Sequence, residues 1–199
     1  MKIGMIGAGA VALAVAKYAL PAGHEIILSN RRGGATLSRA VAALGHGAAA
    51  GSVLEAAGAD LVLLTVRWPN IPAALSGLPA WEGRILVDAT NPFAQRTPEL
   101  VLADLGGRGA SEIVADLAPG ARLVKAFNSL DMTNFAAGPR RDDARRVVLV
   151  SGDDAAAKGT VKDLIARFGF AVIDLGGLKE GGRMQQAGGP LAGLDLLVG

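Results

Sequence analysis

The chain has 199 residues, 51% of them hydrophobic and 19% charged, and no cysteine. This composition fits one folded domain with an ample core and excludes a disordered chain, while the lack of cysteine excludes disulfides and thiolate metal sites. A net charge of +2, spread along the chain, is too weak to point to nucleic acid.

Short apolar runs alternate with helical patterns from end to end. Lys2–Ile6 reads as a strand and Ala10–Leu20 as a helix; Glu25–Leu28 is a second strand. Leu37, Ala40, Val41 and Leu44 recur at helical spacing, and Gly45 marks a helix end. Ser52 and Glu55 have the spacing of a capping box at the start of a short helix. Asp60–Val66 is a nearly continuous apolar run, as expected of a strand buried on both faces of a parallel sheet. Further strands are expected at Arg84–Asp88, Arg122–Ala126, Arg146–Val150 and Phe170–Asp174. Before the last of these, Asp153 is the expected cap of a helix with Val161, Leu164, Ile165 and Phe168 on one face, stopped by Gly169. The pattern predicts an α/β fold of Rossmann type: a doubly wound, mostly parallel sheet with helices on both sides. Residues 1–175 form this domain. Residues 176–199, with eight glycines, form a short tail expected to pack on the same domain or on a dimer partner. Arg96–Gly109 is expected to be loop-rich.

The opening MKIGMIGAGAVALAVAKYALPA has a lysine before an apolar run, as a secretion signal does. Its glycines fit another purpose. Gly7-Ala8-Gly9-Ala10-Val11-Ala12 is GxGxxA, placed between a strand and a helix. In that setting the first glycine permits a tight turn and the second lets a pyrophosphate approach the backbone. The small Ala12 lets the helix lie close to the sheet. The helix N-terminus offers unpaired N–H groups to the phosphates. A dinucleotide is therefore expected here.

The end of the second strand selects which one. A carboxylate at that point binds the ribose 2′-hydroxyl of NAD, and a cation favours the 2′-phosphate of NADP. Here the residues are Ser29-Asn30-Arg31-Arg32, and the nearest acid, Glu25, is at the other end of the strand. The expected cofactor is NADP(H), with either arginine gripping the 2′-phosphate through its planar fork and the other covering the adenine face.

Ligands in such sheets lie beyond the carboxyl ends of the strands. The later strands end in Thr65-Val66-Arg67-Trp68, Asp88-Ala89-Thr90-Asn91-Pro92-Phe93 and Lys125-Ala126-Phe127-Asn128. Asn91 and Asn128 are candidates to bind the nicotinamide amide or the hydride acceptor, and Trp68 or Phe127 to supply a stacking face. Asp88 is expected to accept loop hydrogen bonds, and Lys125 to contact phosphate or lie exposed. His24 and His46 precede strands, on the opposite edge. No residue spacing suits a metal site.

Together, the segments IGMIGAGAVA, LSNRRG, VDATNPF, VKAFNSL, LVSGDD and GGRMQQAGGPLAGLDLL make the chain resemble the dinucleotide-binding enzymes related to NADP-dependent coenzyme F420 (deazaflavin) reductase. The same fold family includes the N-terminal domain of pyrroline-5-carboxylate reductase and the reductase domain of the STEAP metalloreductases. The resemblance implies that Gly7, Gly9, Ala10 and Val11 hold the pyrophosphate and that Ser29, Asn30, Arg31 and Arg32 hold the 2′-phosphate. It further implies that Thr65, Val66, Trp68, Asn91 and Pro92 line the nicotinamide side, with Ala126 and Asn128 nearby. Two positions depart from the family pattern: Arg67 replaces a proline and Asn128 a histidine.

The expected activity is hydride transfer between NADPH and a flat acceptor, namely coenzyme F420, FMN or FAD. An NADP(H)-binding sensor without turnover is the alternative, as is a carbonyl or imine reductase using Lys125 or Asp88 as proton donor in the cleft. A cytoplasmic homodimer, with no nucleic-acid or membrane partner, completes the expectation.

Overall fold

A computed structural model describes residues 1–199. In chain order it contains β1 (Lys2–Ile6), α1 (Ala10–Ala19), β2 (Glu25–Ser29), α2 (Ser38–Leu44), β3 (Ala48–Ala50), α3 (Val53–Ala57), β4 (Leu61–Leu64) and α4 (Ile71–Leu75). Next come β5 (Ile85–Asp88), β6 (Phe93–Gln95), β7 (Val101–Leu102), α5 (Ala110–Leu117), β8 (Arg122–Ala126) and α6 (Met132–Ala136). The chain closes with β9 (Arg140–Arg141), β10 (Ala144–Gly152), α7 (Ala155–Arg167), β11 (Ala171–Asp174), α8 (Arg183–Gln185) and β12 (Leu197–Val198). No helix is long and apolar enough to cross a membrane.

The main sheet has the order β11-β10-β8-β5-β4-β1-β2-β3. From β3 to β8 every pairing is parallel. β10 reverses against β8, and β11 follows β10 in parallel. The expected Rossmann-type sheet is therefore present, with an inverted pair at one side. The segment expected to be loop-rich contains the β6–β7 hairpin.

Alternating residues along the strands feed two apolar layers. Ile3 and Met5 join Val15, Leu63, Val87, Val124 and α7 residues on one face. Ile6, Val62, Leu64, Leu86 and Leu123 join α3, α4 and α5 residues on the other. Gly4 is required by this packing, because a Cβ there would sit 1.8 Å from the Ala56 carbonyl oxygen, so α3 lies directly on β1. The Ser52–Glu55 capping box forms as expected: Glu55 N–H donates to Ser52 Oγ at 3.1 Å, and Ser52 N–H donates to Glu55 Oε2 at 2.7 Å.

One expected cap shifts by a residue. Asp154, rather than Asp153, caps α7, its Oδ1 accepting from Ala157 N–H at 2.7 Å. Asp153 Oδ1 instead accepts from Leu178 N–H at 3.0 Å and anchors the start of the tail. Farther on, the tail is tied to the same chain. Asp195 pairs with the largely buried Arg146 at 3.0 Å, and β12 adds an antiparallel strand to β10.

Candidate functional site

The register aligns the strand ends across the sheet. Ser29 lies beside Ile6, Ile6 beside Leu64, Leu64 beside Asp88, Asp88 beside Lys125, and Lys125 beside Ser151. All the loops that follow β1, β2, β4, β5 and β8 consequently open at one height, along a single edge.

At the centre of that edge, Gly7 has φ +108°, and a Cβ on it would come 2.6 Å from Thr65 Oγ1. Thr65 Oγ1 in turn donates to Gly7 O at 3.1 Å, which fixes the turn against β4. Gly9 behaves differently. Its φ and ψ, −87° and −170°, suit any residue, and a Cβ there would meet nothing within 4 Å. The chain itself does not require glycine at that point, so the space left by the missing side chain faces outward. Helix α1 begins directly after it, with no side-chain cap and no acid in its first turn. Ala10 is exposed and Val11 half-buried, whereas Ala12 is fully buried against the sheet. An open cradle and an uncapped helix N-terminus are what a pyrophosphate needs, and the residues fit the cofactor expected from sequence.

Beyond β2 the chain makes a tight turn organised by Asn30. Its Oδ1 accepts from Arg32 N–H at 2.8 Å and its Nδ2 donates to Thr36 Oγ1 at 3.0 Å. Arg31 and Arg32 project from this turn, exposed, and neither takes part in any of the chain's ion pairs. Ser29 requires a correction. It is fully buried and its Oγ donates to Met5 O at 2.7 Å, so its hydroxyl ties β2 to β1 rather than facing the loop.

At the other end of the site, Asn91 and Asn128 are brought together. Asn128 Nδ2 donates to Asn91 Oδ1 at 3.1 Å, and Asn91 Nδ2 donates to Asn128 O at 2.8 Å. The tail completes the group. Gln185 Nε2 donates to Asn128 Oδ1 at 2.7 Å, Asn128 Nδ2 donates to Gln185 O at 2.8 Å, and Ala187 N–H donates to Asn91 Oδ1 at 2.9 Å. The two amides thus lock three loops to one another. Gln185 was missed in the sequence, where nothing distinguishes it from its neighbour Gln186. Trp68 opens a short 3-10 turn and is half-buried, as are Thr65 and Val66. Pro92 is buried and its carbonyl accepts from Ala103 N–H at 2.8 Å, which joins the β6–β7 hairpin to the site.

Three residues considered for this end lie inside the protein. Ala126 is fully buried in the first apolar layer. Phe127, at φ +62°, turns its ring inward to meet Phe135 edge-on at 5.8 Å, so it offers no stacking face. Lys125 neither lies exposed nor reaches outward. Its Nζ contacts Asp88 Oδ2 at 3.1 Å with both side chains 0% exposed, and it also donates to Thr90 O at 3.1 Å. Asp88 accepts further bonds from Ser111 Oγ at 2.5 Å, Thr90 Oγ1 at 2.6 Å and Thr90 N–H at 2.9 Å. Burial pushes the Asp88 carboxyl up, but the adjacent ammonium and these hydrogen bonds outweigh it and hold the group below the usual aspartate value. This pair braces the loops from beneath. His24, whose pKa burial lowers, lies at the opposite edge of the sheet with His46.

Comparison with known proteins agrees with this geometry. The family model described as NADP oxidoreductase, coenzyme F420-dependent, matches residues 2–92, which carry the glycine loop, the arginine turn and Asn91. A hypothetical protein of Sinorhizobium meliloti has a crystal structure similar over 100% of this chain and 97% of its own, with 39% identity and a TM-score of 0.92. A protein of Arthrobacter sp. FB24, provisionally described as an F420-dependent NADP reductase, is 28% identical over 89% of this chain and 86% of its own, with a TM-score of 0.78. Metalloreductase STEAP3 of Rattus norvegicus is 28% identical over 179 residues. That match takes in 89% of this chain but 34% of STEAP3, so the chain spans about a third of the length of this curated relative. Over residues 2–92 the chain is similar to the coenzyme F420-dependent NADP oxidoreductases, and its relatives are NADP-dependent oxidoreductases.

Proposed function

We propose that this protein transfers a hydride between NADPH and a flat acceptor, coenzyme F420 or a flavin, laid beside the nicotinamide at the Trp68–Asn91–Asn128 end of the site. The observation that carries this reading is the burial of Lys125 and Asp88 against each other. Reduction of a carbonyl or imine needs a proton donor at the reacting atom, and the two titratable side chains at the ends of β5 and β8 both turn away from the cleft. A flat redox ring needs only to be held at hydride distance and in the correct orientation.

The chain's own residues divide this work. Gly9 and the first turn of α1 hold the pyrophosphate, and Arg31 and Arg32, set by Asn30, hold the 2′-phosphate. Thr65, Val66 and Trp68 form one wall of the nicotinamide side. The Asn91–Asn128 pair, clamped by Gln185, fixes the facing wall and keeps it from yielding as two rings stack. Bound NADPH supplies the hydride from its C4. Exposed Leu100, Leu194 and Leu197 support a homodimer as part of the same proposal, which sedimentation velocity checks.

The decisive experiment offers F420, FMN, FAD and ferric chelates in turn, with NADPH and with NADH. NADPH oxidation by a flat acceptor, with NADH much poorer, is the expected result. Binding of NADPH without turnover of any acceptor would leave a sensor instead.

A further inference from the structure

Arg67 and Arg96 take no part in the site as described, yet both stand at its outer end. Arg67 precedes the 3-10 turn Trp68–Asn70 that follows β4, and β6 packs against that turn. Arg96 directly follows β6, its Cζ 4.3 Å from the centre of the Phe93 ring. Both arginines are exposed, and none of the chain's ion pairs includes either. By contrast, Arg84, Arg122 and Arg146 each donate to backbone carbonyls, and Arg122 and Arg146 also pair with Asp154 and Asp195. Glu99 and Asp104, on the same hairpin, bond to neither. Two guanidinium groups outside every ion pair therefore stand at this end, Arg96 over the Phe93 ring and Arg67 next to Trp68 in the chain.

An arginine resting on a ring loses less side-chain freedom when its fork is engaged, and that fork matches the oxygens of a phosphate or carboxylate. We infer that the acceptor carries an anionic tail, phosphate or carboxylate, which Arg67 and Arg96 bind while its flat ring lies inward. This rests on the hydride-transfer reading above and narrows it. Among flat acceptors of equal ring chemistry, the charged member is the substrate.

FMN and riboflavin share one ring system and differ by a phosphate, so they isolate the tail. With saturating NADPH, kcat/KM for FMN is expected to exceed that for riboflavin by about tenfold, near the value of one charge-assisted contact. Rising potassium chloride should erode the preference. In Arg67→Ala/Arg96→Ala the ratio should fall toward one, with the KM for NADPH unmoved. F420, set against its deazaflavin core lacking the side chain, repeats the comparison with glutamyl carboxylates as well as phosphate. Equal kcat/KM for both flavins in the wild type, or a double variant that loses both flavins in the same proportion, would overturn the inference. If no acceptor turns over, the hydride-transfer reading fails first. The tail site is then read from quenching of FMN fluorescence by the protein with NADP+ bound. Quenching that the double variant loses upholds the site, and no quenching overturns it.

Discussion

Lys125→Met tests whether the buried pair beneath the site is a brace. The substitution keeps the length of the side chain and removes the charge, leaving Asp88 at 0% exposure with the bonds from Ser111 and Thr90 alone. Breaking a buried pair by removing one partner costs about 3–5 kcal/mol. The structure also sets a ceiling, because Asp88 can escape by taking a proton. Protonating at pH 7 a carboxyl whose unfolded pKa is about 3.9 costs roughly 4 kcal/mol. The expected loss at pH 7 is therefore about 3–4 kcal/mol, read from urea unfolding followed by circular dichroism. The pH dependence should also change sign. In the wild type the Asp88 pKa is lowered by folding, so its contribution is present above the unfolded value and is lost as pH falls through the folded one. In the variant, burial without the cation raises the folded pKa, so stability is greatest in acid and falls as pH rises, by up to about 1.4 kcal/mol per unit. Adding Asp88→Asn to Lys125→Met should restore roughly half the loss or more. A single variant that loses less than about 1 kcal/mol, or a double variant whose losses simply add, would refute the brace.

The glycines of the first strand and loop should separate fold from binding. Gly9→Ala is expected to leave the melting temperature unchanged and to weaken NADPH binding at least tenfold, measured by titration, since its Cβ meets only the ligand's space. Gly4→Ala should instead destabilise by several kcal/mol, on the order of an overpacked core, in a thermal melt. Arg31→Ala or Arg32→Ala should raise the KM for NADPH by about ten- to a hundredfold, one lost charge-assisted contact, and leave NADH nearly untouched; equal harm to both would make the pair ordinary surface. Gln185→Ala should lower kcat with the flat acceptor while NADPH affinity holds, because it frees Asn128 on the acceptor side. A matching loss of NADPH affinity would place its effect elsewhere.

Much of this was legible in the chain. The order of strands and helices follows from runs such as LVLL and ILVD, and the glycine loop was readable because its position between strand and helix gives each glycine a distinct purpose. What failed was orientation. Phe127 stands next to Asn128 in sequence, yet a positive φ turns its ring into the core. Ser29 closes the second strand, yet its hydroxyl points along the sheet to Met5. Two adjacent aspartates, Asp153 and Asp154, are equivalent as caps in sequence. Only the path of the tail gives one of them to α7 and the other to Leu178. Gln185 was not recoverable, since its partners lie 36 to 60 residues away, on the loop after β8 and within the floor of the sheet.

The pairing of Asp88 with Lys125 is a different kind of miss, because the signal was present. If the apolar runs ILVD and RLVKA are laid in parallel with their charged ends level, Asp88 falls opposite Lys125, the register the sheet adopts. A lysine and an aspartate at the same height on two central, doubly covered strands have no route to water on either side. They must pair or the strands must shift, and a one-residue shift would turn each apolar set to the wrong layer. The pair therefore fixes the register of β5 against β8, and with it the height at which Asn91 and Asn128 meet. On that argument Lys125 and Asp88 act on the site through position alone. The repaired double variant should regain activity in step with stability; stability that returns without activity would assign the pair a chemical role that its burial denies.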